Sequence, residues 1–272
     1  MVRSITKDTV LCMSLAGRPS DIGTRFHNFL YAELDLDFVY KAFTTTDLAA
    51  AIAGIRALGI RGCGISMPYK EACIQHVDTM DDSAEVIRSV NTIVNTDGQL
   101  RAYNTDYIAV AKLLADHQIP VDHTFAVLGS GGMAKAAVAA LRDAGFRAGA
   151  VVARNPRTGA ALADQYGYTW RAGLGSGRPQ LLVNATPVGM SGGPAAEDLP
   201  VEPDVVDTAE TVFDVVALPA LTPLVRRARA LGKQVITGAE VIALQALEQF
   251  VLYTGVRPTD DQARRAAEYS RA

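Results

Sequence analysis

Gly129-x-Gly131-x-x-Ala134 closes an apolar run, Thr124 to Leu128, and opens an alanine-rich stretch of strong helix propensity. Strand, glycine turn and helix in that order give the spacing of a dinucleotide-binding turn. Its first two positions carry no side chain, because the backbone turns sharply there and a pyrophosphate must approach the main chain. The third must be small so that helix packs on strand, and Ala134 meets that need. The phosphates would sit on the N–H groups of the helix N-terminus, where the dipole favours an anion. About 20 residues on, sites that prefer a free ribose 2′-hydroxyl carry a carboxylate. This chain reads Val151-Val152-Ala153-Arg154-Asn155-Pro156-Arg157 there, without an acid. Arg154 and Arg157 suit a 2′-phosphate through charge-assisted hydrogen bonds, so the expected cofactor is NADP rather than NAD.

A second pair of residues fits proton transfer. A hydride leaves an alcohol carbon only as the hydroxyl proton is taken, which calls for a positioned acceptor. Lys70 and Asp106 are the candidates, and residue types alone leave open which of them is the base. Lys70 follows Ser66-Met67-Pro68-Tyr69 at the end of a strand read over Ile60 to Met67, and Asp106 lies in Asn104-Thr105-Asp106 at a helix start. Open α/β sheets bind ligands beyond the carboxyl ends of their strands, where Ser66 and Lys70 lie.

The elements that would position these residues alternate. Val10 to Ala16 reads as a strand, Gly17-Arg18-Pro19 as a turn and Thr24 to Leu34 as a helix. Asp37 to Phe43 is a second strand, followed by an N-cap at Thr45-Thr46-Asp47 and a helix stopped by Gly59. After Lys70 comes a short helix containing Glu71 and Cys73. Ser89 to Val94 and Leu100 to Tyr103 flank an Asp97-Gly98 hairpin turn, and a helix from Tyr107 to Asp116 bridges two domains. Later strands are read near Ala148 to Ala153, Gln180 to Asn184, Val205-Val206 or Val212 to Val215, and Gln234 to Thr237. Helices close the chain over Gly238 to Tyr253 and Pro258 to Ala272. Strand–helix alternation predicts an α/β fold with parallel pairing and right-handed crossovers.

Composition narrows the partners. With 272 residues, 49% hydrophobic and 20% charged, the chain has material for two domains with full cores. A net charge of −3 gives no electrostatic reason to expect nucleic acid or an anionic membrane surface. Cys12, Cys63 and Cys73 are read as reduced, buried thiols, and His27, His76, His117 and His123 share no metal-ligand spacing, so no metal is expected. Met1 to Thr9 lacks the apolar region of a signal peptide and no run reaches membrane-span length, so a soluble cytoplasmic chain is expected. Trp170 and its neighbouring tyrosines read as the packing of a small strand, and Arg226-Arg227-Ala228-Arg229 as the solvent face of a helix.

The motifs together resemble the shikimate dehydrogenase family along almost the whole chain. Gly64-Ile65-Ser66-Met67-Pro68-Tyr69-Lys70 is similar to its N-V-T-x-P-x-K segment, Ser89-Val90-Asn91-Thr92-Ile93 to A-V-N-T-I, and Tyr103-Asn104-Thr105-Asp106 to x-N-T-D. Gly129-Ser130-Gly131-Gly132 resembles G-A-G-G, Arg154 falls on the arginine of N-R-T, and Asn184 to Met190 repeats N-A-T-P-x-G-M. Thr222-Pro223-Leu224 and Gly238 to Gln245 match the closing motifs. The resemblance implies an oxidoreductase of the chorismate pathway that reversibly oxidises the shikimate 3-hydroxyl with NADP. It implies a substrate domain, 1–106 plus 238–272, whose C-terminal helices return to it, and a Rossmann-type NADP domain, 107–237, with hydride transfer in a cleft between them. By position, Lys70 and Asp106 become the catalytic pair, and Ser66, Asn91 and Gln245 hold ring hydroxyls. Gly129, Ser130, Gly131, Gly132 and Met133 cradle the pyrophosphate. Arg154, Asn155 and Arg157 surround the adenine ribose, with Thr186, Val215 and Gly238 nearer the rest of the cofactor.

Departures from the family pattern mark a divergent, shikimate dehydrogenase-like branch. The family's G-x-P-x-x-H-S-x-S-P serines, which hold the substrate carboxylate, are missing from Gly17 to His27. Thr24 remains to supply one hydroxyl there, and Arg25 a planar cationic fork. Gly64 replaces an asparagine and Ala217 a tyrosine. The expected partner is a small cyclic hydroxy acid, shikimate or quinate, bound by a monomer or homodimer. A non-catalytic NADP-binding regulator is the alternative of another class, and retention of Lys70 with Asp106 argues against it.

Overall fold

The structure, a computed structural model, describes residues 5–271; the expected limits at Met1 and Ala272 lie outside the described residues. Two compact units are present, Met1–Thr105 with Ala243–Ala272, and Asp106–Ile242. Each is built on its own six-stranded sheet.

The first unit runs β1 (Val10–Leu15), α1 (Asp21–Glu33), β2 (Phe38–Phe43), α2 (Leu48–Ala57) and β3 (Gly62–Ile65). A short 3₁₀ helix over Ala72–His76, β4 (Thr79–Met80), α3 (Asp82–Glu85), β5 (Thr92–Thr96) and β6 (Gln99–Tyr103) follow. The sheet order is β2-β1-β3-β5-β6-β4, with β1 parallel to both β2 and β3 and β5 antiparallel to β3 and β6. Alternation along β1 explains its two cores. Cys12 faces one side with Phe26, Leu30, Tyr31 and Tyr40, while Met13 and Leu15 face the other with Ile52 and Ile55. Asn28 of α1 clamps β2 reciprocally, donating to Tyr40 O at 2.8 Å and accepting from Tyr40 N at 2.9 Å. Asp97 and Gly98 both have positive φ, 52° and 83°, the conformation a two-residue hairpin turn with right-handed twist requires.

α4 (Thr105–Asp116) leads into the second unit: β7 (Phe125–Leu128), α5 (Gly132–Asp143), β8 (Gly149–Val152), α6 (Pro156–Tyr166) and β9 (Thr169–Arg171). β10 (Leu181–Asn184), α7 (Pro203–Thr208), β11 (Thr211–Asp214), α8 (Pro223–Ala230) and β12 (Gln234–Thr237) complete its sheet. The order β12-β11-β10-β7-β8-β9 is parallel throughout. Every residue of β7, β10 and β11 is buried, as expected of strands covered on both faces. α9 (Gly238–Thr254) then carries the chain to the first unit, where α10 (Asp260–Arg271) follows. Phe250 and Tyr253 of α9 join the aromatic core of α1 and β2.

Several boundaries differ from the sequence reading. α1 starts at Asp21, before Thr24, because Ser20 is already the extended N-cap residue and Asp21 supplies an acid to the first turn. The third strand is only Gly62–Ile65: Ser66 N still reaches Leu15 O at 2.9 Å, but Tyr69 N turns back onto Ser66 O at 2.9 Å and the chain leaves the strand there. Glu71 precedes the helical turn that holds Cys73 instead of lying in it. Val205 and Val206 belong to α7, opened by Pro203, so the strand is Thr211–Asp214 and stops short of Val215. The cysteines are free and buried.

His27 is a titratable member of this core. It is wholly buried, stacked on Tyr40 at 4.4 Å and 10°, with neither ring nitrogen hydrogen-bonded. Burial pushes its imidazole down to about 3. A histidine neutral in the folded chain and protonated in the unfolded one lowers stability as pH falls below its unfolded value, about 6.5. Between pH 7 and pH 5 this group should cost about 2 kcal/mol of unfolding free energy. Urea unfolding at the two pH values should show that loss in the native chain and a flatter dependence in His27→Phe.

Candidate active site

Backbone hydrogen bonds line up the strand ends of the second unit. Ala153 N donates to Arg171 O at 3.0 Å, Gly129 N to Val152 O at 2.8 Å, Ala185 N to Leu128 O at 2.9 Å, and Val215 N to Asn184 O at 3.0 Å. The loops after β8, β7, β10 and β11 therefore leave the sheet side by side. Gly129 has φ 111°, and a Cβ there would lie 2.9 Å from Ala185 O and 3.5 Å from the Thr186 methyl. No side chain fits where the turn crosses the neighbouring loop. Gly131 and Gly132 face open space. Gly131 is the N-cap residue of α5 and brings no side-chain acceptor, so the first-turn amides are not capped from within. Met133 follows in that first turn.

Across the turn, Ser130 Oγ and Thr158 Oγ1 are 2.8 Å apart, which joins the glycine turn to the start of α6. Asn155 caps α6, accepting from Arg157 N at 3.0 Å and Thr158 N at 3.3 Å, with Pro156 at the first helical position. Its side chain thus shapes the loop, leaving the exposed Arg154 and Arg157 as its cations. These residues fit a dinucleotide carrying a 2′-phosphate: an open glycine cradle, uncapped amides and two guanidiniums.

Under the same edge lies a buried polar network that the sequence reading missed. Asn184 donates to Asp214 Oδ1 at 3.0 Å and to Val188 O at 3.2 Å, and accepts from Thr186 N at 3.1 Å and Thr186 Oγ1 at 2.6 Å. Asp214 also accepts from Val216 N at 3.1 Å and Thr222 Oγ1 at 2.6 Å. Asn184, Asp214 and Thr222 are fully buried. Burial pushes the Asp214 carboxyl above its usual range, against the pull of Thr222, Val216 and Asn184 as donors. A carboxylate ending an apolar strand, Thr211-Val212-Phe213-Asp214, was the available signal. Val215 and Gly238 meet beside this network: a Cβ on Gly238 would come within 3.0 Å of Val215 O and of the Val216 carbonyl.

The first unit shows a comparable row. Ser66 N donates to Leu15 O at 2.9 Å and Ile65 N to Asn91 O at 2.7 Å, so Ser66 and Asn91 emerge from neighbouring strand ends. Val90 N donates to Lys70 O at 2.8 Å, tying the Lys70 segment to the same edge. Asn91, 2% exposed, accepts from Thr105 N and Thr92 Oγ1, each at 2.8 Å, and donates to Thr105 Oγ1 at 2.9 Å. Thr105 Oγ1 also donates toward Gln245 Oε1 at 3.3 Å, which brings Asn91 and Gln245 into one chain of hydrogen bonds. Gln249, absent from the sequence reading, donates to Asn91 O at 3.2 Å and to Thr92 Oγ1 at 3.0 Å. Thr24 Oγ1 is buried without a hydrogen-bond partner. The Arg25 guanidinium lies over the Tyr269 ring at 4.7 Å, a cation–π contact rather than an open anion fork. Asp106, 8% exposed, is the second residue of α4. Among the described residues no group of three or more His, Cys, Asp or Glu could hold a metal ion. No helix among them is long and apolar enough to cross a membrane.

A parallel sheet with a glycine turn at its centre, joined in one chain to a second α/β unit with a polar strand edge, defines a two-domain, Rossmann-type architecture. The family model described as the shikimate dehydrogenase substrate binding domain matches residues 22–93. A shikimate dehydrogenase-like protein of Haemophilus influenzae is 53% identical over 267 residues, covering 98% of each chain. The solved structure of a shikimate 5-dehydrogenase-like protein superposes with a TM-score of 0.97 at 53% identity, over 99% of this chain and 100% of that one. Shikimate 5-dehydrogenase of Thermus thermophilus, solved with NADP(H) and shikimate, gives 0.85 at 31% identity, over 96% of this chain and 100% of that one. The chain belongs to the shikimate dehydrogenase family.

The packing at Gly238 can be tested directly. Gly238→Ala drives a methyl into the Val215–Val216 backbone, which should lower stability by about 1–3 kcal/mol. A thermal melt should show it, whereas Gly173→Ala, at a glycine with open space around it and no positive φ, should leave the melt nearly unchanged.

Proposed function

We propose that this chain is an NADP-dependent oxidoreductase that interconverts shikimate and 3-dehydroshikimate, with Lys70 and Asp106 as its acid–base pair. The observation that carries the reading is the strand-end row of the second unit, where an open glycine turn stands beside Arg154 and no carboxylate takes the ribose position. NADP, when bound, accepts the hydride or returns it. The amides opening α5 bind its pyrophosphate, and Arg154 and Arg157 pair with its 2′-phosphate. Thr186, Val215 and Gly238 flank the remainder of the cofactor.

Toward the substrate, Ser66, Asn91 and Gln245 orient ring hydroxyls. Asn91 Oδ1 already accepts from Thr105 and Thr92, so Asn91 meets a substrate oxygen as a donor through Nδ2. Thr24 supports the reading in another way: a buried hydroxyl without a partner is stabilised by any substrate oxygen that reaches it. Lys70 and Asp106 hold and move the proton at the oxidised hydroxyl, so that charge does not build on that oxygen as the carbonyl forms. The two groups act as a pair, the ammonium as donor and the carboxylate as acceptor.

The reading is tested by initial rates of NADPH formation with shikimate and with quinate, each repeated with NAD. Shikimate with NADP should be the preferred pair. Lys70→Ala and Asp106→Asn should each lower kcat by about 10²- to 10⁴-fold while leaving the NADP dissociation constant within about twofold. Undiminished turnover in both variants would remove the pair from the mechanism. Faster turnover of quinate would keep the chemistry and move the substrate.

A further inference from the structure

The stretch from Arg154 to Thr158 follows Ala153, a residue whose two backbone groups are both tied to β9. Ala153 N donates to Arg171 O at 3.0 Å, and Ala153 O accepts from Trp170 Nε1 at 3.1 Å. Trp170 is the only tryptophan of the chain. Its indole also lies against α6 at Gly159: a Cβ on that glycine would fall 2.5 Å from Trp170 Nε1, 2.6 Å from Cδ1 and 2.9 Å from the Ala153 methyl. Gly159 therefore leaves room for the ring at the level of the carbonyl it binds. Filling the space between β9 and α6 would require only an apolar ring. An indole N–H aimed at the last carbonyl before Arg154 does something more specific, because it fixes the plane of the peptide from which Arg154 departs.

We propose that Trp170 is a positioning residue for recognition of the cofactor 2′-phosphate: its N–H holds the Ala153 carbonyl and so sets the direction in which Arg154 leaves β8. The inference rests on the reading that Arg154 and Arg157 meet that phosphate. Guanidinium–phosphate pairing depends on direction, since the planar fork must present its donors to the oxygens. The other end of the loop is pinned independently by the Asn155 cap and the Ser130–Thr158 contact. Loss of the indole bond thus loosens the Arg154 end alone, leaving the pyrophosphate cradle in place.

Calorimetric titration with 2′,5′-ADP and with 5′-AMP, which lacks the 2′-phosphate, tests this without turnover. Trp170→Phe keeps an aromatic ring against Gly159 and deletes the N–H. It should weaken 2′,5′-ADP about fivefold, the size of one ordinary hydrogen bond, and leave 5′-AMP within about twofold. Gly159→Ala, which displaces the indole from the opposite side, should reproduce that pattern and serves if the Phe variant does not fold. Unchanged affinity for 2′,5′-ADP in either folded variant, or equal weakening of both nucleotides, would overturn the proposal in favour of simple packing. Arg154→Ala separates the two levels. If it abolishes discrimination between the nucleotides while Trp170→Phe does not weaken it, only the role of Trp170 fails; if it leaves discrimination intact, the phosphate reading fails and this inference with it.

Discussion

Parallel pairing on both sides of β7 is the constraint on which the second unit depends. Val127 is in register with Val151 of β8 and with Val183 of β10, so the strand order turns outward in both directions from β7. Because every pair is parallel, each crossover must bring the chain back so that all strands finish at the same end of the sheet. The strand-end loops must therefore share one edge, and the backbone bonds from Arg171 to Val215 space them as the sheet spaces its strands. The first unit repeats the device around β1, between β2 and β3. Its antiparallel β5–β6 hairpin adds a turn at the opposite end and returns the chain to the edge where Asn91 and Thr105 meet.

An edge made this way brings polar groups under cover, and each must find a partner. Asn184, Asp214 and Thr222 solve the problem among themselves and in doing so join the loop after β10 to the loop after β11. The network is a means of holding loop shape, because Thr186 and Val216 are fixed through backbone amides that point at the buried side chains. His27 is the contrasting case. It sits among rings with neither of its nitrogens bonded, and burial displaces its titration instead.

Local signals made much of this legible in the sequence. Asp47 and Gly59 bracket α2, accepting from Ala50 N at one end and taking φ 63° at the other. Asp97-Gly98 marks the hairpin, and the glycine turn marks the start of α5. Boundaries failed where local turns outweighed composition: Ile60 to Met67 is apolar enough for a long strand, yet the strand is only Gly62–Ile65, since Ile60 N bonds back to Ile55 O at the end of α2 and Tyr69 N turns onto Ser66 O. Val205-Val206 has strand propensity but sits behind a helix-initiating Pro203. Trp170 and Gln249 could not be found by motif, since their significance lies in carbonyls far away in sequence, at Ala153 and Asn91.

The departures from the family pattern divide on physical grounds. A Cβ on Gly64 would lie 2.9 Å from Tyr40 Oη and 3.6 Å from Gln249 Nε2. Tyr40 cannot withdraw easily, because its ring is stacked on His27 and its backbone is clamped by Asn28. A glycine at position 64 is thus a consequence of how α1, β2 and β3 pack, and an asparagine would demand that the aromatic core be rearranged. The stretch from Gly17 to Arg25 differs in kind. Its changes alter which donors stand near the carboxyl ends of β1 and β3, and Arg25 is already engaged with Tyr269. Thr24, whose buried hydroxyl the protein leaves unbonded, is thus a position that packing does not settle, whereas the surroundings of Gly64 are settled by it.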